Sequence, residues 1–358
     1  MDVPTVQYEA VITVPPLKMT VPRRVRRVLV SDPKTAAEEF RGCYQVVMYY
    51  ENLDEEGFGW VLAGWIVESL GIALSEHPMI AGRLQRKAEG GGGDPEMEIL
   101  SNDCGIRMVE ARISIALSDF LESSEKHNIE HELVFWKDID EQSPEFSPLF
   151  YIQMTSFKCG GYSIGISCSL LLADFLVVDN FLKKWADIHK NEAVRNGKTR
   201  MPLFYHPRLK NAEAPPPNII RRTPYKNGGP SLLFKITSED SEFEMESARL
   251  CVQEAEKKLH RKMGSEFSLF VKEPSEVIKV EACEYSRQAL GFKHQVSCAT
   301  WDEFGVYDIA FHEGKRPVHV SRWIGSASEG NVLAVKYPKE GVSAVMVVTL
   351  AAENGTLN

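Results

Sequence analysis

The chain has 358 residues, of which 44% are hydrophobic and 25% are charged, a composition typical of folded globular proteins. This length provides for one large domain or two medium domains, each with its own core. The formal net charge is −9, so the overall electrostatics give no reason to bind nucleic acid or anionic lipid.

The cysteines and the apolar segments indicate the compartment. The chain has seven cysteines, an odd number, and none of them form a C-x-x-C pair. This argues against a disulfide framework and a zinc ribbon, and it favours reduced thiols. No basic region precedes a long apolar core at the N-terminus, and no stretch reaches the roughly 18 apolar residues of a spanning helix. We therefore expect a cytoplasmic protein without a transmembrane segment.

The first part of the chain predicts two strand regions, a helix, a pair of strands and a second helix. In the second strand of the pair, every other residue is apolar, so these residues should share one face of a sheet. The predicted elements are a strand at Val6–Val14, a strand at Val28–Val30, a helix at Gly57–Glu76, strands at Leu149–Thr155 and Tyr162–Leu170, and a helix at Phe175–His189.

A basic run, Pro22-Arg23-Arg24-Val25-Arg26-Arg27, stands out in this acidic chain. Four arginines at this spacing can contact a phosphate group or an acidic lipid. We interpret the run instead as a solvated turn before the strand at Val28–Val30, because short charged runs are usually just exposed.

Residues 206–230 are the best predicted linker, because they combine Pro215-Pro216-Pro217 and Gly228-Gly229-Pro230 with polar residues. Strands and helices are predicted on both sides, which indicates two α/β halves at residues 1–205 and 231–358. The predicted elements after the linker are a strand near Leu232–Ile236, a helix near Met245–Met263, and strands near Val318, Val332 and Val345.

Three stretches occur in the order found in one known family. They are Glu68-Ser69-Leu70 with His77–Leu84, then Gln153–Gly161 with Gly165–Ser167 and Ala173-Asp174, and then Trp301 to Val318 with Phe311–Pro317 at its centre. These stretches resemble, in turn, the ESL…YPLAGRL, H-x-x-x-D-G and D-F-G-W-G-K-P segments of the plant BAHD acyltransferases, which transfer an acyl group from acyl-CoA.

The resemblance implies a fold. Members of this family have a two-domain α/β architecture of the chloramphenicol-acetyltransferase type, with mixed sheets. Residues 1–205 and 231–358 would then be the N-terminal and C-terminal acyltransferase-like domains. Little in the second half resembles the strand-rich segment that begins the family's second domain, so we expect a shortened, incomplete C-terminal domain.

The departures from the family motifs bear on activity. Asp174 matches the motif acid, which the resemblance implies to be structural, and Leu170 then occupies the position of the histidine that acts as general base. Leucine has no proton acceptor. In the third stretch, Ala310–Gly314 replaces D-F-G-W-G and loses the Asp, the middle Gly and the Trp. His312 lies in that stretch, where we expect it at the surface.

Three hypotheses about function remain. The first is a BAHD acyltransferase by descent, with weak or no transfer from acyl-CoA to a hydroxyl or amine acceptor. The second is an accessory partner of a fatty-acid elongase subunit, at the periphery of the endoplasmic reticulum, because three short segments resemble the eceriferum-type branch of cuticular wax synthesis: Asn102–Gly105, Ile129–His131 and Phe146–Leu149. The third is an active transferase with a rebuilt site, in which the Cys168 thiolate is the base or nucleophile.

The expected ligands are few. Acyl-CoA would be a co-substrate, no resident cofactor or metal is implied, and we expect a monomer. His127-Asn128-Ile129-Glu130-His131 matches the H-x-x-E-H pattern of some zinc peptidases. We interpret it as a loop that enters a strand, because a zinc site needs a firm helix and a third ligand.

Overall fold

The structure of the chain is a computed structural model, and it describes thirteen segments. These are residues 5–30, 40–51, 59–87, 97–172, 175–196, 229–237, 244–272, 277–285, 295–304, 306–312, 314–325, 330–339 and 342–350. The predicted linker falls almost wholly outside the described residues, as does Asp174.

The first sheet has six strands and is mixed, because one of its pairs, β6 with β7, is parallel while its neighbours are antiparallel. In spatial order the strands are β1 (Val6–Val14), β6 (Ile106–Ile113), β7 (Phe150–Phe157), β8 (Tyr162–Ser169), β3 (Cys43–Tyr50) and β13 (His319–Gly325).

The second sheet has nine strands and is also mixed, with parallel pairs between β10 and β14 and between β11 and β2. In spatial order the strands are β12 (Gln295–Ala299), β9 (Ser231–Thr237), β15 (Val342–Leu350), β14 (Gly330–Lys339), β10 (Glu266–Lys272), β11 (Val277–Glu284), β2 (Val25–Val30), β5 (Met97–Leu100) and β4 (Arg83–Arg86).

Five α-helices accompany the sheets in the described part of the chain: α1 (Gly59–Glu76), α2 (Leu117–Glu122), α3 (Lys126–Ile129), α4 (Phe175–Asn196) and α5 (Glu244–Leu259). Within the described segments, no helix is both long and apolar enough to cross a bilayer.

The two sheets exchange strands. Strands β2, β4 and β5 come from the first hundred residues and join the second sheet, while β13 comes from the C-terminal half and joins the first. A division into two blocks of sequence therefore does not describe which strands share a sheet. The bounds 1–205, 206–230 and 231–358, and the shortening of the last block, stay predictions.

A continuous hydrophobic core lies between the elements that surround α1 and α4. It contains Ile66 and Leu70 of α1, Phe181 and Trp185 of α4, and apolar side chains from both sheets. A second core packs α5 against β9, β10, β14 and β15. Burial of this apolar surface is the main favourable contribution to folding.

Strand β8 is buried on both faces. Its apolar face lies in the main core, which confirms the predicted alternation of Tyr162, Ile164, Ile166 and Cys168. Its other face carries small residues and is covered by a 3₁₀ turn, Glu130–Leu133. A β-carbon on Gly165 would lie 2.0 Å from the carbonyl oxygen of Leu133, so only glycine fits under this turn.

Most predicted elements are present with shifted ends. One predicted segment has a different structure, and strands β3 to β6 and β10 to β12 were not predicted. The H-x-x-E-H segment is helical, with α3 followed by the 3₁₀ turn Glu130–Leu133, so the predicted loop entering a strand is wrong. Strand β3 was not predicted, because all eight of its residues are buried and no alternation of polar and apolar residues marks them.

Candidate active site

Leu170 directly follows β8, at the end of a strand that lies in the middle of the first sheet. Its backbone N–H donates to the carbonyl of Gly42 at 3.0 Å, which ties it to the start of β3. The side chain is 1% exposed and belongs to the main hydrophobic core. The histidine position of the predicted motif is therefore filled by packed hydrocarbon.

Gly42 lies directly beneath this leucine. A β-carbon added to Gly42 would lie 2.8 Å from Cδ1 of Leu170, well inside van der Waals contact. The absence of a side chain at Gly42 gives Leu170 room to lie against the backbone. The leucine is thus held by its own neighbours, and the site offers no proton acceptor at this position.

Cys168 shares the face of Leu170 and is 2% exposed. Its Sγ lies 3.5 Å from the carbonyl oxygen of Ser169, and it belongs to the main core. Its neighbour Cys43 is also buried, and burial raises the pKa of the Cys43 thiol well above its ordinary value, with Asp138 and Cys168 adding to the effect. This surrounding apolar packing is typical of an unreactive structural cysteine.

Asp174 lies outside the described residues, but an acid of α4 is well placed. Asp179 on α4 forms an ion pair with Arg322 of β13, with 3.2 Å between Oδ2 and Nη1, and both side chains are 3% exposed. Nη1 of Arg322 also donates to the Tyr44 hydroxyl at 3.1 Å. The guanidinium lies 5.2 Å from the centre of the Trp301 ring. This pair ties α4 to the last strand of the first sheet.

Sequence analysis missed this ion pair. The only local signal is a carboxylate beside Val178 and Phe181, on the apolar side of a helix. The partner lies 143 residues away along the chain. No motif connects two residues at that separation, so only the tertiary structure identifies them as a pair.

A second polar cluster joins the first and third motif segments. Ser69 of α1 receives a hydrogen bond from Trp185 Nε1 at 3.0 Å, and its Oγ lies 3.1 Å from Nδ1 of His189. The His189 ring contacts the rings of Phe311 and His312, with centroid distances of 5.8 and 5.4 Å. The predicted surface position of His312 is wrong, because this residue is partly buried against α4.

Both histidines are neutral near pH 7. Burial lowers the pKa of His189 to about 3, helped by the proximity of His312 and partly opposed by a hydrogen bond with the Trp65 backbone. Burial also lowers the pKa of His312 to about 4. A general base works best with a pKa near the working pH, so these values do not favour such a role for either imidazole.

The two histidines should make folding sensitive to acid. Below the ordinary histidine pKa of about 6.5, the unfolded chain binds protons that the folded chain does not bind. We expect the free energy of unfolding to fall by up to about 1.4 kcal/mol per pH unit for each histidine. The total loss between pH 6.5 and 5 is about 3 kcal/mol, because the unfolded histidines are already half protonated at pH 6.5. Urea unfolding at a series of pH values measures this slope.

The double variant His189→Gln/His312→Gln should flatten the slope over this range, whatever its own effect on stability at pH 7. His127→Gln is the matched control, since His127 is exposed on α3. An unchanged slope in the double variant would contradict the assignment.

The H-x-x-E-H segment does not assemble a metal site. Glu130 accepts a hydrogen bond from the Tyr49 hydroxyl at 2.6 Å and lies 3.8 Å from Lys126 Nζ. His127 is exposed. Over the described ranges, no group of three or more His, Cys, Asp or Glu side chains is arranged to hold a metal ion.

Comparisons with known proteins identify relatives for much of the chain. Residues 44–261 match a family described as the Transferase family. Protein ECERIFERUM 26-like of Arabidopsis thaliana is 32% identical over 125 residues, which is 35% of this chain and 27% of that protein. A hydroxycinnamoyl-CoA:piscidic acid hydroxycinnamoyltransferase of Actaea racemosa is 33% identical over 127 residues, which is 35% of this chain and 26% of that protein. The matched segments thus span about a quarter of each relative's length.

A solved structure shows the fold. The crystal structure of vinorine synthase superposes with a TM-score of 0.50 at 14% sequence identity, covering 98% of this chain and 95% of that one. Together with the two mixed sheets, this likeness confirms the predicted α/β architecture.

Proposed function

We propose that this chain, which belongs to the Transferase family of plant BAHD acyltransferases, has kept the acyltransferase fold and has lost efficient acyl transfer. The observation that carries this proposal is the burial of Leu170 at the predicted histidine position. The similarity to eceriferum-type proteins agrees with the resemblance seen in the sequence.

The chemical argument concerns one proton. In the family's reaction, a hydroxyl or amine attacks the acyl-CoA thioester, and a base must take the proton from the attacking atom. Loss of general-base catalysis slows such a reaction by about 10²–10⁴-fold, or about 3–5 kcal/mol of barrier. Proximity of two bound substrates would support only a slow residual reaction.

The direct test is a coupled assay for free CoA, with a panel of acyl-CoAs and of alcohol and amine acceptors. We expect no acceptor-dependent CoA release above a slow background from the native chain. The variant Leu170→His should raise this release only in part, because the third motif segment also lacks its usual residues. Leu170→Asn is the matched control, since it places a polar group without a basic nitrogen at the same buried position.

Two outcomes would contradict the proposal. One is release of CoA by the native chain at rates ordinary for an enzyme, on the order of 1–10³ per second. The other is full activity after Leu170→His alone, which would mean that the rest of the site is intact. Thermal unfolding of each variant separates a catalytic effect from loss of the fold.

The alternative with a rebuilt site depends on Cys168. If its thiolate carried the reaction, Cys168→Ala would abolish acceptor-dependent CoA release while leaving the fold intact. We expect no change, because the thiol is 2% exposed and packed among apolar side chains. Cys251→Ala, at another fully buried cysteine in the second core, is the matched control.

A second candidate function is that of an accessory partner in very-long-chain fatty-acid elongation. The observation that favours it is the similarity to three eceriferum proteins of Arabidopsis thaliana. Co-expression with an elongase subunit, followed by affinity purification and analysis of the fatty-acid chain lengths, tests this role. A shift to longer chains, caused by a chain that shows no acceptor-dependent CoA release of its own, would support a partner that acts without catalysis, and no shift would count against it.

A further inference from the structure

The segment from Leu17 to Val25 concentrates apolar side chains at the surface. Met19 is 83% exposed and Val21 is 80% exposed, and Leu17 and Val25 are also exposed. Eight large hydrophobic residues are exposed in the described part of the chain, and four of them lie within these nine residues. Single exposed apolar residues are ordinary, whereas a cluster of this kind marks an interaction surface.

Cations surround this apolar cluster. Lys18, Arg23 and Arg24 are exposed within the same segment, and residues 15–30 contain no acidic residue. Arg24 also lies near His77, whose pKa is lowered first by burial and further by Lys184 and Arg24, while Glu76 opposes the shift. Glu76 is itself paired with Lys184 at 3.3 Å. The Asp103 carboxylate also lies against this segment, but the three cations outnumber it, so the local charge is positive in a chain whose net charge is −9.

The backbone of the segment is fixed at both ends and in the middle. The N–H groups of Leu17 and Lys18 donate to the Gly71 carbonyl and the Ser75 hydroxyl of α1, at 2.9 and 3.0 Å. Thr20 donates to the Asp103 carboxylate through its N–H, at 2.9 Å, and through its hydroxyl.

Beyond Thr20, the N–H of Arg24 donates to the Ser101 hydroxyl at 2.6 Å, and Arg24 accepts from the Ser101 N–H at 3.0 Å. These bonds hold the backbone in place and leave the apolar and cationic side chains outside. The segment is thus ordered before any partner binds, which reduces the entropy cost of binding.

We propose that residues 17–25, hereafter the docking loop, attach the protein to the surface of an anionic membrane. Met19 and Val21 would enter the boundary between headgroups and acyl chains, and Lys18, Arg23 and Arg24 would contact the lipid phosphates. Apolar side chains flanked by Lys and Arg are the features that interfacial anchors combine.

Charge complementarity is the reason for choosing an anionic membrane as the binding partner of the docking loop. An anionic bilayer attracts basic residues close to its surface, and this attraction falls off within a Debye length of about 8–10 Å at physiological salt. The acidic residues elsewhere in the chain are screened over longer distances, so the local positive charge determines whether the docking loop is attracted to an anionic bilayer. The predicted solvated turn holds only for residues 22–24, because residues 25–27 belong to β2 and Arg26 is 6% exposed. The docking loop uses the exposed arginines, Arg23 and Arg24.

Vesicle co-sedimentation tests this proposal with the full chain. We expect binding to phosphatidylcholine vesicles enriched in phosphatidylserine, little binding to pure phosphatidylcholine vesicles, and weaker binding as salt rises. The variants Met19→Glu/Val21→Glu and Arg23→Glu/Arg24→Glu should each reduce the partition onto anionic vesicles by roughly tenfold or more.

Two matched controls carry the same chemical changes elsewhere. Lys257→Glu/Lys258→Glu reverses two exposed charges on α5, and Phe146→Glu adds an acid at a residue that is 77% exposed. Both should bind anionic vesicles like the native chain. The proposal is overturned if the native chain does not bind them, or if the controls lose as much binding as the loop variants. The proposal would also be overturned if the docking loop bound an acidic protein while the chain bound no vesicles.

Discussion

Replacing Arg322 with methionine is expected to lower the free energy of unfolding by about 3–5 kcal/mol. The substitution leaves the Asp179 carboxylate buried without the guanidinium that faces it, since both side chains are 3% exposed. It also removes the donor to the Tyr44 hydroxyl and the cation that lies over the Trp301 ring. Urea unfolding at pH 7 measures the loss.

The chain provides a control for this experiment. Arg316 and Asp308 form an ion pair of the same length, 3.2 Å, but their side chains are 72% and 63% exposed. Arg316→Met should therefore cost no more than about 1 kcal/mol. The double variant Asp179→Leu/Arg322→Met should recover most of the lost stability, because it removes both buried charges together. Equal costs for Arg322→Met and Arg316→Met would show that the buried pair does not stabilise the junction between α4 and β13.

Replacing Phe311 with alanine is expected to cost about 3–5 kcal/mol of unfolding free energy. Phe311 is completely buried and contacts the rings of Tyr50, Trp185 and His189. Phe311 thus packs the third motif segment between β3 and α4. Truncation leaves a cavity among residues that cannot all close around it. Thermal and urea unfolding both report the loss.

Tyr307→Ala is the matched control for Phe311→Ala. Tyr307 belongs to the same segment, but it is 38% exposed, so its truncation should change stability far less. A loss below about 1 kcal/mol for Phe311→Ala would mean that the segment is not anchored through this ring. If the expected contrast is observed, the remnant of the D-F-G-W-G-K-P segment stabilises the fold even though its sequence has diverged.

The sequence predicted some of the elements whose residue patterns are periodic, although β6 and β11, which also alternate, were not predicted. The helix later observed as α1 and the strand observed as β1 were predicted closely, because their apolar residues recur at the spacing of one face. Strand β3 was missed, since a nearly continuous apolar run does not separate a buried strand from a buried helix segment. The exchange of strands between the two sheets was also missed, because pairing across hundreds of residues leaves no local pattern.

The candidate site likewise has one feature that the sequence predicts and several that only the folded structure reveals. The leucine at the predicted histidine position could be identified from the residues alone, because residue identity requires no coordinates. The packing of Leu170 over Gly42, the contact of His312 with His189, and the pairing of Asp179 on α4 with Arg322 on β13 could be found only in the folded chain. Ion pairs, burial and lowered pKa values arise from groups that folding brings together. These groups are far apart along the chain, so no pattern in the sequence identifies them.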